Sequence, residues 1–190
     1  GAVLFPAREA PRVAPYKLKI TYGRLLESVE QAFHREKPLF ALTIYYPLSK
    51  WIGPADAPEL ESFNEGRQKQ VVSLIRTQFL KRFESSAHAF EQSCWRLLKR
   101  LLAWCEVHAE SDHEKRRLER WKLKNDKLTG YAAAHQQELW PTDESGTEDD
   151  DEDFLTQEDL DAIEKLDPEL YKVDEILDDT FDDLDQLVTF

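Results

Sequence analysis

The chain has 190 residues, 41% of them hydrophobic, and a formal net charge of −13, so it can bury the core of one ordinary domain. No apolar run approaches the roughly 18 to 20 residues of a membrane span, and GAVLFPAREAPRV is too short and proline-broken for a signal peptide. A non-secreted, cytoplasmic protein with no membrane partner is expected. There is no Met, even at position 1, and the sequence reads as an excerpt from a longer protein.

The acidity is local. Lys and Arg against Asp and Glu count eight to eight over residues 1–65, fifteen to eight over 66–128 and two to twenty-two over 129–190, which are nets of 0, +7 and −20.

In chain order, RVAPYKLKI (12–20) carries β-formers between prolines and predicts one short strand ending before Thr21. Thr21 then caps an amphipathic helix with Leu25, Leu26, Val29 and Phe33 on one face, closed by Pro38. FALTIYYPLSKWI is ambiguous between strand and helix, and GPADAPELESFNEG after it is a proline-punctuated loop. From Arg67 to Ala109 neither Gly nor Pro occurs, and Phe79, Phe83, Ala87, Phe90, Cys94, Leu97, Leu98, Leu101 and Cys105 recur at steps of three and four. That predicts one helix, or two nearly continuous ones. SDHEKRRLERWKLKNDKL (111–128) is a second, highly charged helix that either returns antiparallel to the first or projects into solvent.

The block at 141–153 is too acidic to bury surface and is expected to be a disordered linker. Beyond it, FLTQEDLDAIEKL has Thr156 as an N-cap, and VDEILDDTFDDLDQLVTF places Val173, Ile176, Leu177, Phe181, Leu184 and Leu187/Val188 on a stripe fit to dock. The fold class is therefore mainly α, with long antiparallel helices, a short N-terminal strand and an acidic C-terminal helix. Its divisions are 1–65 (strand, helix and loop), 66–140 (helical hairpin), 141–153 (linker) and 154–190 (acidic helices).

On one continuous helix, residues 81 and 99, and likewise 82 and 100, stand about five turns apart in phase. Lys81, Arg82, Arg96, Lys99 and Arg100, with Ser85 among them, then share a face opposite the apolar stripe. Two basic clusters about 27 Å apart could touch phosphates along a duplex. The alternative is a solvated face whose arginines pair with neighbouring acids or with the acidic tail.

His88, Cys94, Cys105, His108 and His113 include no close Cys pair. The two cysteines lie about 16 Å apart along a helix, too far to bond to each other or to close a zinc site, so they read as core residues in a reducing compartment. No G-x-S-x-G or H-E-x-x-H is present, and the isolated glycines 1, 23, 53, 66, 130 and 146 form no phosphate-binding loop. No catalytic, cofactor or metal residue is assigned.

SLIRTQFLKRFESSAHAFEQSCWRLLKRLLAW (73–104) resembles the helical segment that follows the first RecA-like lobe in bacterial Swi/Snf-related superfamily two helicase-like ATPases. LKRFESSAHAF, with Lys81, Arg82, Glu84, Ser85, Ser86 and Phe90, is its distinctive part. FPAREAPRVAPYKLKITYGRLLESV resembles the strand and helix after the first lobe, and VDEILDDTFDDLDQLVTF the acidic helix leading into the second, in the family's order.

The Walker boxes of the first lobe and the arginine motif of the second are absent. What the resemblance implies is the inter-lobe module of a DNA translocase, such as a genome-defence helicase, with no catalysis of its own. ATP and Mg then belong to the parent protein, and the partners are double-stranded DNA and the motor lobes in cis. The acidic block is expected to compete with DNA for the basic face. The rival reading is a standalone interaction module whose acidic tail mimics nucleic acid.

Overall fold

The computed structural model describes residues 17–34, 38–60, 62–134 and 155–190. The expected acidic linker at 141–153 lies outside them, as does most of the expected strand. The rest of that strand is corrected: Leu18, Lys19 and Ile20 open helix α1 (Leu18–Ala32), so Lys17 rather than Thr21 stands at its N-cap. The backbone leaves helical values once, at Gly23. No strand occurs among the described residues, where Trp51 and Tyr171 form an isolated bridge.

The ambiguous aromatic stretch becomes two 3₁₀ turns, Thr43–Tyr45 and Pro47–Lys50. Helix α2 (Ser62–Ser85) begins five residues before the expected Arg67 and runs through Gly66.

Residues 67–109, expected as one helix or as two nearly continuous ones, form two. Ser86 is extended, at φ −163° and ψ 131°, and accepts the Ala89 N–H at 3.4 Å to cap α3 (Ala87–His108). The chain also changes direction here. Phe79 and Phe90 would stand about 16 Å apart along one straight helix, yet their ring centroids are 6.1 Å apart.

A capping box at Ser111 and Glu114 starts α4 (Asp112–Lys124), and α5 (Asp126–Ala134) follows. Both return antiparallel along α3: Lys122 pairs with Glu106 at 2.6 Å, and farther along Tyr131 packs on Trp95. Thr156 caps the short α6 (Gln157–Asp161) through a capping box with Asp159, and α7 (Val173–Leu187) completes the fold.

One core joins these elements. Phe33, Phe40, Phe79, Phe83, Phe90 and Phe190 form a chain of ring contacts with centroids 5.0–6.1 Å apart, which ties α1, the 3₁₀ region, α2, α3 and the end of α7 together. The stripe read on α7 docks as expected, with Ile176, Leu177, Phe181, Leu184 and Leu187 buried. Among the described residues no helix is long and apolar enough to cross a membrane.

Candidate nucleic-acid interface

Because Ser86 turns the chain, the residues of the expected basic face divide between two helices. Lys81, Arg82 and Ser85 stand in the last turns of α2, where Lys81 and Ser85 are exposed and Arg82 is half-buried. Arg96, Lys99 and Arg100 stand on α3. The five-turn phase that aligned the two groups holds only along one axis, so it no longer aligns them.

The α3 group meets the acidic end of the chain. Lys99 Nζ lies 3.0 Å from Asp159 Oδ2, and its side chain is only 13% exposed. Arg96, Lys99, Arg100 and Ala103 form one wall of a cleft of about 390 Å³, and Glu158, Asp159 and Ala162 of α6 form the other. Asp159 also accepts from Thr156 N–H at 2.9 Å and Thr156 Oγ1 at 2.8 Å. Burial raises its acid, but those bonds and Lys99 outweigh burial and hold it below the ordinary value. A charged Asp159 therefore faces Lys99 at neutral pH. Arg100 is exposed and within electrostatic reach of the half-buried Tyr45 phenol.

The alternative reading paired the arginines of this face with the chain's own acids; here the ion pair to α6 is made by Lys99.

The contacts that sequence reasoning missed lie on α7. Glu175, Asp179 and Asp183 recur every four residues, so they line up on one side of the helix. Asp183 is 1% exposed and accepts the Ala41 and Leu42 N–H groups, both at 2.7 Å. Asp179 accepts the Thr43 hydroxyl at 2.8 Å and lies 3.3 Å from Lys50, while Glu175 lies 3.0 Å from the same Lys50. On α2, Arg76 donates from Nη2 to the Phe40 carbonyl at 3.2 Å, and Asp183 acts on its charge. This carboxylate row clamps the 3₁₀ region onto α7.

A signal existed. Thr180 and Asp183 fall in phase with Ile176 and Leu187, and a polar residue at a core phase marks a buried hydrogen bond. Thr180 Oγ1 indeed donates to the Ile176 carbonyl at 2.6 Å.

His108 is buried and stacks on Trp104, with ring centroids 3.9 Å apart. Its Nε2 accepts the Leu166 N–H at 3.0 Å, which leaves Nδ1 to donate to the Trp104 carbonyl at 2.9 Å. That makes it a neutral cross-link between α3 and the segment after α6. Burial pushes the His108 imidazole below its ordinary value and raises both thiols, Cys94 to about 12. Cys105 lies in the core and Cys94 packs against it, as read from the sequence. Among the described residues no group of three or more His, Cys, Asp or Glu side chains converges to hold a metal ion.

No family model, curated protein or solved structure matches this chain.

Proposed function

We propose that the chain is a non-catalytic helical module of the kind that stands between the RecA-like lobes of Swi/Snf-like DNA translocases. There it would couple lobe movement and offer cations to the DNA backbone. The observation that carries this reading is the LKRFESSAHAF string. It builds the corner between α2 and α3, with Phe83 and Phe90 turned into the core, Ser86 capping α3 and Lys81 outside. A rigid corner with a charged exterior suits a part that passes motion between larger bodies. Arg96 and Arg100 add cations on α3, and contact with backbone phosphate would be sequence-independent and salt-sensitive. ATP and Mg would be held by the parent's lobes, not by this segment.

A rival role, as a protein-interaction module, draws support from an apolar cleft of about 320 Å³ between α1, the end of α2, α3, α5 and the chain's end, lined by Phe83, Trp95, Leu128 and Phe190. The surrounding reading frame separates the two. A phosphate-binding loop upstream and a second lobe downstream favour the translocase, and a frame of about this length favours the rival.

The direct test is titration of a short mixed-sequence duplex across a salt series. Binding that weakens with salt and is lost when Lys81, Arg82, Arg96, Lys99 and Arg100 are changed to Gln is the expected result. Binding that survives those changes overturns the assigned face.

A further inference from the structure

We propose that α6 is an acidic latch on α3, occupying with Glu158 and Asp159 the positions that DNA phosphates would take against Arg96, Lys99 and Arg100. The inference rests on the DNA-contacting reading above and adds its regulation. Three observations support it.

First, the pairing is direct: Asp159 approaches Lys99 to 3.0 Å, and Glu158 lines the same cleft as both arginines. A carboxylate facing a cation across a solvent-accessible cleft is the nearest protein equivalent of a phosphate oxygen. Second, the cleft is already open, about 390 Å³ in volume, and Arg96 and Arg100 are exposed beside it, so a backbone can approach before α6 leaves.

Third, α6 is weakly anchored. It has five residues and buries none of them. A helix that short is not stable alone. Its holds are the Thr156 capping box, the Lys99 pair, the partly buried Leu155 and Leu160, and Ile163 just beyond its end, which is 8% exposed. Farther along, the Leu166 N–H bond to His108 fixes the chain again, so displacement of α6 releases Leu155, Leu160 and Ile163 from the core while the segment beyond stays held. Segments with few buried apolar contacts open at low cost.

The test compares duplex DNA binding by the full chain and by the double variant Glu158→Gln, Asp159→Asn. Asn keeps an oxygen for the Thr156 capping box, so the charge is removed while the turn is kept. Ile163→Ala, which loosens the same turn without changing charge, is the second variant, and Asp159→Glu is the charge-keeping control. The latch predicts that both loosening variants bind about tenfold more tightly than wild type at about 50 mM salt, with the gain shrinking at higher salt. Asp159→Glu should bind like wild type. Adding Arg96→Gln and Arg100→Gln to the double variant should cancel the gain.

Equal, salt-sensitive binding by wild type and both loosening variants overturns the latch and leaves the DNA reading standing. No binding by any of them overturns both. A gain that persists after the arginines are replaced also overturns the latch, because the phosphates would then be meeting another surface.

Discussion

Asp183 holds the turn at Ala41 and Leu42 from the other end of the chain. Leu42 is left-handed, at φ 53° and ψ 36°, a conformation that disfavours an L side chain, and the two N–H groups on which it turns are both satisfied by one carboxylate. In Asp183→Asn, an amide N–H replaces one acceptor and leaves a buried donor unpaired. We expect a loss of about 1–3 kcal/mol in chemical denaturation.

The loss should depend on pH. Burial pushes the Asp183 acid up to about 7 against the pull of the two N–H groups, and Asp179 and Asp182 add to the rise. Arg76 faces it from α2. A carboxyl whose folded pKa exceeds its unfolded value of about 3.9 contributes stability below that value and loses it as pH rises through the folded pKa. His108 runs the other way: its depressed imidazole contributes fully above about 6.5, and that contribution fades as pH falls. The stability gap between wild type and Asp183→Asn should therefore narrow from about pH 4 to 7, while the gap to His108→Gln should widen on approaching 6.5. Two pH-independent gaps would refute these protonation states.

At the scale of elements, the helices were legible from their apolar spacing, and the docking stripe of α7 was read residue by residue. The corner at Ser86 was not. Phe79, Phe83 and Phe90 keep helical spacing across it because both helices face the same core, so the apolar pattern continues where the axis does not. A serine pair with no Gly or Pro is a faint stop signal, and the three-residue offset from Ser86 to Ala89 is what marks it as a cap.

The basic site was misaligned for the same reason, since its geometry was inherited from an unbroken helix. The aromatic stretch at 40–52 was ambiguous because its conformation is set by acids from α7, more than 120 residues away.

Caps also differ in strength. At Ser111 the exchange is reciprocal: Glu114 N–H donates to the serine at 3.2 Å, and Glu114 Oε2 accepts from Ser111 and Glu110. At Ser86 a single 3.4 Å contact serves. Ser111→Ala should thus cost about 1 kcal/mol and Ser86→Ala about 0.5 kcal/mol, measured by urea denaturation. The reverse order would mean that the corner depends on Ser86 more than its geometry implies.

Across the whole molecule, the division into a neutral, a basic and an acidic segment describes charge well and packing poorly. By charge alone the region after residue 154 would be an acidic appendage, yet the stripe read on it is inserted: Ile176, Leu177, Phe181, Leu184 and Leu187 are at most 5% exposed and belong to the same core as α1 to α4. Apart from the buried Asp183, acids of α7 reach from that insertion to Lys50, Arg117 and Lys124, and Asp185 accepts from Trp121 Nε1 at 3.0 Å. Arg117 also lies over the Phe181 ring at 4.2 Å, so one cation serves a carboxylate and an aromatic face. Exposed ion pairs contribute about 0–1 kcal/mol each, whereas burying one large apolar side chain contributes about 1.5–3 kcal/mol. The apolar stripe therefore dominates the attachment of α7, and the charges orient it.

A chain ended after residue 154 should lose its cooperative thermal transition and bind a hydrophobic dye, because the faces of α3 and the 3₁₀ region that α7 covers would be open. High salt, which screens only the ion pairs, should lower the stability of the intact chain far less. If the shortened chain still melted cooperatively with an unchanged near-ultraviolet tryptophan signal, α7 would be an accessory to the fold and its carboxylate row would need another purpose.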